Sequence, residues 1–365
     1  SDISYVLDGP DQHPQSYGKV PTRKLAIEKL IRYFQSKFPK AQLRFVYEAG
    51  PCGYWLYRFL SKLGQCCYIV APSLIPKKAG DRVKTDRRDS LKLAQLLKSG
   101  ELTSIYVPEA HDEAVRDLSR ARERTMHDLN NARYQLKALL LRNHVHYPER
   151  ADWSAKHMRW LAGVVLPFPA QQIVLQEQIQ TINERIERLK RLDNELEHQL
   201  KDWRYYPLVK ALQAMRGVST IVSGGIVAEL GDLSRFDHPR KLMSYVGLTS
   251  MEHSTGTKRK LGGITKCGNS RARRLLIQSA HCYRYSANIT RELQKRQEDL
   301  PKTITDIAWK AQLRLCKRYQ RLMQRGKPRN VTVTAIAREL IAYMWAIAQT
   351  VPLAPMDPAL QVVRK

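Results

Sequence analysis

Four carboxylates in the first quarter of the chain have the types and spacing that divalent-metal chemistry needs: Asp2, Glu48, and the pair Asp86 and Asp89. Glu48 closes the apolar run Leu43-Arg44-Phe45-Val46-Tyr47, and Ala49-Gly50-Pro51 behind it stops the strand. Charged residues that end apolar strands in α/β layers sit at the rim where ligands bind. Asp86 and Asp89 stand at i and i+3, so a helix that begins there carries both on one face. The plainer alternative makes Asp86 an N-cap and Asp89 a solvated acid. A metal that activates a phosphodiester takes two or more such hard oxygen ligands at one end of a sheet, and Mg2+ is the expected ion.

The second constellation is basic and carries hydroxyls. It opens with Glu252-His253-Ser254-Thr255-Gly256 and continues through Lys258, Arg259, Lys260, Lys266, Arg271, Arg273 and Arg274. Residues 253–291 hold nine Lys or Arg and no acid, a stretch that repels itself unless a phosphate backbone lies across it. Gly256, Gly262, Gly263 and Gly268 permit close backbone approach. A hydroxyl among these cations, such as Ser254, could attack phosphorus, because nearby positive charge stabilises an alkoxide and the developing phosphorane. The plainer alternative is a turn serine. A third run, 307–338, also has nine Lys or Arg and no acid. Its Lys310, Arg314, Lys317 and Arg318 fall on helical spacing beside Trp309, Leu313, Leu315 and Leu322, so one face packs and the other tracks phosphate. Lys84, Arg87 and Arg88 flank the acid pair and would meet the same backbone.

Over the whole chain 62 Lys plus Arg face 34 Asp plus Glu, a net charge of +28. Such a chain is built to hold a polyanion. Its 365 residues suffice for two or three domains with their own cores, and 43% apolar content excludes a mostly disordered protein. The longest apolar runs, such as Leu340 to Ala348, are short or broken by charge, so no membrane span or signal peptide is expected. Cys52, Cys66, Cys67, Cys267, Cys282 and Cys316 lack metal-ligand spacing and read as reduced packing residues of a cytosolic protein.

The elements that must position these groups follow from periodicity. Residues 1–108 alternate strands (Tyr5-Val6-Leu7, Leu43 to Tyr47, Cys67 to Val70) with helices, among them 22–38 with Leu25, Ile27, Leu30, Ile31 and Phe34 on its apolar face. That is an α/β layer fold. Residues 109–202 read as long helices. In the second of them Leu175, Ile179, Ile182, Ile186, Leu189, Leu196 and Leu200 form a coiled-coil seam broken at Asp193. That seam serves either an intramolecular hairpin or a contact between subunits. Residues 203–350 form a mostly helical region, followed by a tail over 351–365. Its Gly217-Val218 turn suits either a phosphate-binding helix-hairpin-helix or an ordinary αα-turn. From the residues alone three functions stay open. One is an enzyme whose hydroxyl attacks phosphorus, and another is a metal nuclease that cuts with water. The third is a nucleic-acid scaffold whose acids are surface groups.

Over nearly its whole length the chain resembles transposases of the insertion-sequence 110 family, in its insertion-sequence 1111 branch, related to the Piv DNA invertases. The blocks that carry the resemblance are Tyr47-Glu48-Ala49-Gly50-Pro51-Cys52-Gly53-Tyr54, Val70-Ala71-Pro72-Ser73-Leu74-Ile75-Pro76 and Gly80 to Asp89. Tyr245-Val246-Gly247-Leu248, Ser254-Thr255-Gly256, Gly263-Ile264-Thr265-Lys266 and Asp306 to Gln312 extend it. The resemblance implies a RuvC-like (RNase H fold) DEDD domain over 1–108, a helical arm over 109–202, and a transposase domain over 203–350 with a catalytic serine. It implies Mg2+ held by Asp2, Glu48, Asp86 and Asp89, and attack on DNA by Ser254 through a covalent phosphoserine. A structured bridge RNA would pair with donor and target DNA. Each site of a dimer or tetramer would draw on two subunits. The expected location is the bacterial cytoplasm, at the nucleoid. Asp8 is the alternative first acid, because the chain starts directly before Asp2. Thr255 is the alternative nucleophile, because some relatives place the serine next to the glycine.

Overall fold

In the computed structural model, residues 1–76, 85–150, 152–255 and 260–353 are described. Among the described residues the chain divides into two compact units, 1–108 and 109–353.

In the first unit, strand β1 (Asp2–Tyr5) pairs antiparallel with β2 (Gln15–Lys19), and β3 (Arg44–Glu48) pairs in parallel with β4 (Cys66–Val70). Among the described residues these are two separate two-stranded sheets and not one continuous layer. A parallel pair needs a crossover, which α2 (Trp55–Lys62) supplies. The helix α1 (Lys24–Lys37) buries Ile27, Leu30, Ile31 and Phe34, the i, i+3, i+4, i+7 stripe. Leu25, expected on that stripe, is 71% exposed, since two helical steps back from Ile27 turn it to the opposite side. One core gathers Ile27, Ile31, Tyr57, Leu60, Cys67 and Ile69; a second joins Leu30 and Phe34 to Ile3 and Tyr5. The helix α3 (Asp86–Lys98) then packs against β1, β2 and β3.

In the second unit the long helices α4 (Ala110–Arg142) and α6 (Pro169–Lys201) pack on each other as an intramolecular hairpin, with α5 (Ala155–Ala162) near its bend. Leu175, Ile182, Leu196 and Leu200 of the seam are buried within this chain. The break at Asp193 is filled by Arg122, whose Nε donates to its carboxylate at 2.7 Å. The remaining helices are α7 (Tyr206–Leu212), α8 (Thr220–Leu230), α9 (Pro239–Tyr245), α10 (Ser270–Ala280), α11 (Arg291–Gln297), α12 (Lys302–Gln324) and α13 (Arg329–Ala348). A hairpin of β5 (Ser250–Glu252) and β6 (Leu261–Ile264) interrupts them.

The Gly217-Val218 turn joins α7 to α8. Gly217 holds φ of 77° and faces the Ser279 carbonyl and Cys282, while Val218 is fully buried. By length and composition α13 could cross a membrane, but half of its apolar window is buried, with Ile336, Leu340, Ile341 and Met344 at its centre. The six cysteines are free; Cys67 and Cys316 are buried, and burial pushes the Cys67 thiol up to about 12. Cys52 and Cys267, expected to pack, are exposed.

Candidate active site

The acids of the first unit lie on elements that share one neighbour. Strand alternation turns Ile3 and Tyr5 toward Leu30 and Phe34. Asp2 and Ser4 therefore take the other face, where the Ser4 and Ser90 hydroxyls are hydrogen-bonded at 2.7 Å. Ser90 is one helical turn after Asp86, so this bond fixes the strand of Asp2 against the helix start that carries Asp86 and Asp89. The same alternation sends Phe45 and Tyr47 into the core and Glu48 to the opposite face of β3, and α3 packs on β3 as well. Thr85, not Asp86, is the N-cap: its hydroxyl accepts from the Arg88 amide at 3.3 Å. That leaves both aspartates in the first turn, where the helix dipole favours negative charge. Asp8 lies outside β1, exposed in the connection to β2.

Asp2, Glu48 and Asp86 have no side-chain hydrogen bond or ion pair with another described residue. Carboxylates are the donors a hard divalent cation takes, so the donor set fits such an ion. The side chains are not drawn together as a ready cage, since among the described residues no three His, Cys, Asp or Glu are grouped closely enough to hold a metal.

In the second unit Ser254 stands at the outer end of the β5–β6 hairpin. The ladder reaches it through His253 N, which donates to the Lys260 carbonyl at 2.8 Å. Ser254 Oγ donates to Glu252 Oε1 at 2.7 Å, and the Lys260 amide donates to Ser254 Oγ at 3.4 Å. The cause is the period of an extended chain, which puts residues 252 and 254 on one face. Thr255 is exposed and has no side-chain hydrogen bond with another described residue. Sequence reading does not single out Glu252. The signal pointing to it is its place two residues before the serine on a strand.

The base of the hairpin is a close backbone crossing. Gly247 and Gly268 both have left-handed φ, 66° and 68°. A Cβ on Gly247 would overlap the Cys267 carbonyl oxygen, and one on Gly268 the Tyr245 carbonyl oxygen. Arg273 closes the crossing, its Nη1 donating to the carbonyls of Val246 at 2.8 Å and Cys267 at 2.9 Å. Burial holds the Arg273 pKa below the ordinary guanidinium value. Asn269 caps α10 by accepting from the amides of Arg271 and Ala272, and its Nδ2 donates to Glu229 Oε2 at 2.7 Å. Glu229 is buried on α8 and takes a bidentate pair from Arg120 of α4, at 2.7 and 2.9 Å. Burial pushes the Glu229 carboxyl up, but the hydrogen bonds from Arg120 and Asn269 outweigh it and hold it below the usual glutamate value. The serine loop is thus bolted to the helical core.

This crossing yields a prediction. Gly268→Ala adds left-handed strain and a backbone overlap, together roughly 3 kcal/mol. The melting temperature of the full chain, followed by circular dichroism, should fall by roughly 6–12 °C. An unchanged melting curve would show that the hairpin is not locked at its base.

The basic residues divide into two sets. Arg271 and Arg274 both grip Glu123 of α4 at 2.6 Å, and Arg314 and Arg318 share Glu339 at 2.9 and 2.7 Å. With Arg273 these guanidiniums are tied into the fold. Arg87, Arg88, Lys260, Lys266, Lys310 and Lys317 are exposed and have no side-chain partner among the described residues. Trp309 and Leu313 break the surface of α12 beside Lys310. Lys84, Lys258 and Arg259 lie outside the described residues.

Carboxylates on one unit and a serine on a basic hairpin of the other are residue types that the class of phosphodiester-processing enzymes uses. Comparison with known proteins narrows that class. The profile described as Transposase IS116/IS110/IS902 family matches residues 209–296, and a transposase profile named for the DEDD enzymes of IS110 elements matches residues 5–145. The y4qE protein of Sinorhizobium fredii is 42% identical over 347 residues, 95% of this chain and 85% of its own length. The transposase for insertion sequence element IS1533 of Leptospira borgpetersenii is 28% identical over 312 residues, 85% of this chain and 90% of its own. A probable family 20 transposase of Pseudomonas aeruginosa is 27% identical over 353 residues, 94% and 93% of the two chains. The chain belongs to the IS110 family of insertion-sequence transposases, enzymes that cleave and rejoin DNA. The DEDD match implies an RNase H-like fold for the first unit and a divalent metal ion.

Proposed function

We propose that this transposase exchanges DNA strands by attack of Ser254 on phosphorus, forming a covalent phosphoserine, under the guidance of a structured non-coding RNA of its own element. The observation that carries this reading is the Ser254 hydroxyl, exposed at the tip of a hairpin and hydrogen-bonded to the Glu252 carboxylate at 2.7 Å. A serine held only by backbone amides would have no acceptor for its own proton, and here the Glu252 carboxylate is that acceptor. In the first unit Asp2, Glu48, Asp86 and Asp89 hold the divalent ion, taken to be Mg2+. Bound there, the ion supplies charge stabilisation for the phosphorus oxygens. Lys260, Lys266, Lys310, Lys317, Arg87 and Arg88, free of partners among the described residues, meet the nucleic-acid backbone, to which Lys84, Lys258 and Arg259 add charge from the same basic runs. Arg271, Arg273, Arg274, Arg314 and Arg318 instead hold the hairpin and helices in place. Donor and target DNA are the substrates, and the working form is a homo-oligomer, a dimer or a tetramer.

The test is a denaturing gel of the full chain with Mg2+, labelled DNA from the element's terminus, and the element's non-coding RNA. A slow, protease-sensitive DNA band that vanishes when the RNA is omitted is the expected result. Adduct without RNA removes the guide from the reading. Cleaved DNA with no adduct points to a RuvC-type nuclease that uses water.

A further inference from the structure

The structure assigns a second catalytic residue to the serine loop. We propose that Glu252 is the general base that takes the Ser254 proton, an inference that rests on the reading of Ser254 as the nucleophile. A base must lie within hydrogen-bond reach of the proton it removes, and Glu252 Oε1 accepts from Ser254 Oγ at 2.7 Å. The geometry belongs to the strand and not to a chance rotamer. Residues 252 and 254 share a face, β5 pairs with β6 at Glu252 and Leu261, and the ladder continues through His253 and Lys260. The Lys260 amide donates to the same Oγ at 3.4 Å, so the hydroxyl is oriented from two sides.

The charge pattern fits this role. Glu252 is the last acid before the acid-free run from 253 to 291, so the base sits at the edge of a segment suited to phosphate. An acid deeper in that segment would oppose the DNA. A serine hydroxyl is a weak nucleophile at its free pKa and needs an adjacent base.

The step balances as follows. As the Ser254 Oγ–phosphorus bond forms, the hydroxyl proton passes to the Glu252 carboxylate. The bond from phosphorus to the leaving deoxyribose oxygen breaks, and that oxygen keeps the electron pair and takes a proton from solvent. In rejoining, a DNA hydroxyl attacks the phosphoserine and releases its proton to solvent. The displaced serine oxygen recovers its proton from Glu252. No oxidant, reductant or further co-reactant enters.

Three variants separate this role from a structural one: Glu252→Gln, Glu252→Asp and Ser254→Ala. They are compared by the rate of adduct formation on labelled element-terminus DNA with Mg2+ and RNA, alongside DNA retention and melting temperature. Gln keeps an oxygen acceptor for the serine but cannot hold the proton, so its adduct rate should fall about a hundredfold with DNA retention and melting unchanged. Asp keeps the base on a shorter arm and should recover part of the rate. A Gln variant at the wild-type rate beside a dead Ser254→Ala would overturn the base assignment and leave the serine reading standing. Adduct formed by Ser254→Ala would overturn both. Equal loss in Gln and Asp, with weakened DNA retention or a lowered melting point, would assign Glu252 a structural role and sink the proposal.

Discussion

Ser254→Ala should abolish the covalent protein–DNA adduct and lower strand exchange by on the order of a thousandfold or more, while DNA retention stays at the wild-type level. Removing a nucleophile deletes the covalent route itself, where loss of a supporting contact only weakens it. Folding should be unaffected. Ser254 is exposed, and among the described residues its side chain bonds only Glu252 and the Lys260 amide. The measurement is adduct on a denaturing gel together with joined product over time. Thr255→Ala serves as the control, and should keep its adduct. If the two variants exchange these outcomes, Thr255 is the nucleophile.

The second large effect belongs to the first unit. Glu48→Gln and Asp86→Asn each keep shape and polarity but remove a negative charge from elements that pack on one another. Each should reduce strand cleavage by on the order of a thousandfold, comparable to deleting a principal electrostatic contact to the reacting phosphate. Chelation with EDTA should stop the reaction, and added Mg2+ should restore it. Neither substitution opens a cavity or removes a hydrogen bond between described residues, so melting temperature should hold. Cleavage at the wild-type rate in both variants would reduce these acids to surface groups. Because the serine and the acids sit in separate units, the two experiments fail independently.

Both sets of residues are visible in the sequence for the same reason. Acids at Glu48, Asp86 and Asp89 break an otherwise basic pattern at the ends of periodic segments, and Ser254 falls in an acid-free run. Helices with strong period, such as α1 and α6, are equally legible. What stays hidden is what each charge touches. Arg271, Arg273 and Arg274 look identical to Lys260 and Lys266 in a list of cations, yet Glu123 and two backbone carbonyls claim them. Glu123 lies about 150 residues away on α4, a distance at which no local spacing rule operates. Arg314 and Arg318 are claimed by Glu339 just past the end of their own basic run.

While β2 and the true place of β1 escaped it, the sequence by itself determined the family, the parallel strands β3 and β4, the helix α1 and the two long helices, and it marked residue types suited to chemistry. These depend on residue type and on periods of two and 3.6, which are local properties of the chain. Only the tertiary structure decided that the long helices pair within one chain, since an apolar seam fits an intramolecular or an intermolecular partner equally well. Tertiary packing also chose which arginines stay free. The crossing of Gly247 and Gly268 set the hairpin, and the hairpin set Glu252 beside Ser254. A hydrogen bond between two side chains depends on where the backbone turns, and contacts distant in sequence fix that turn.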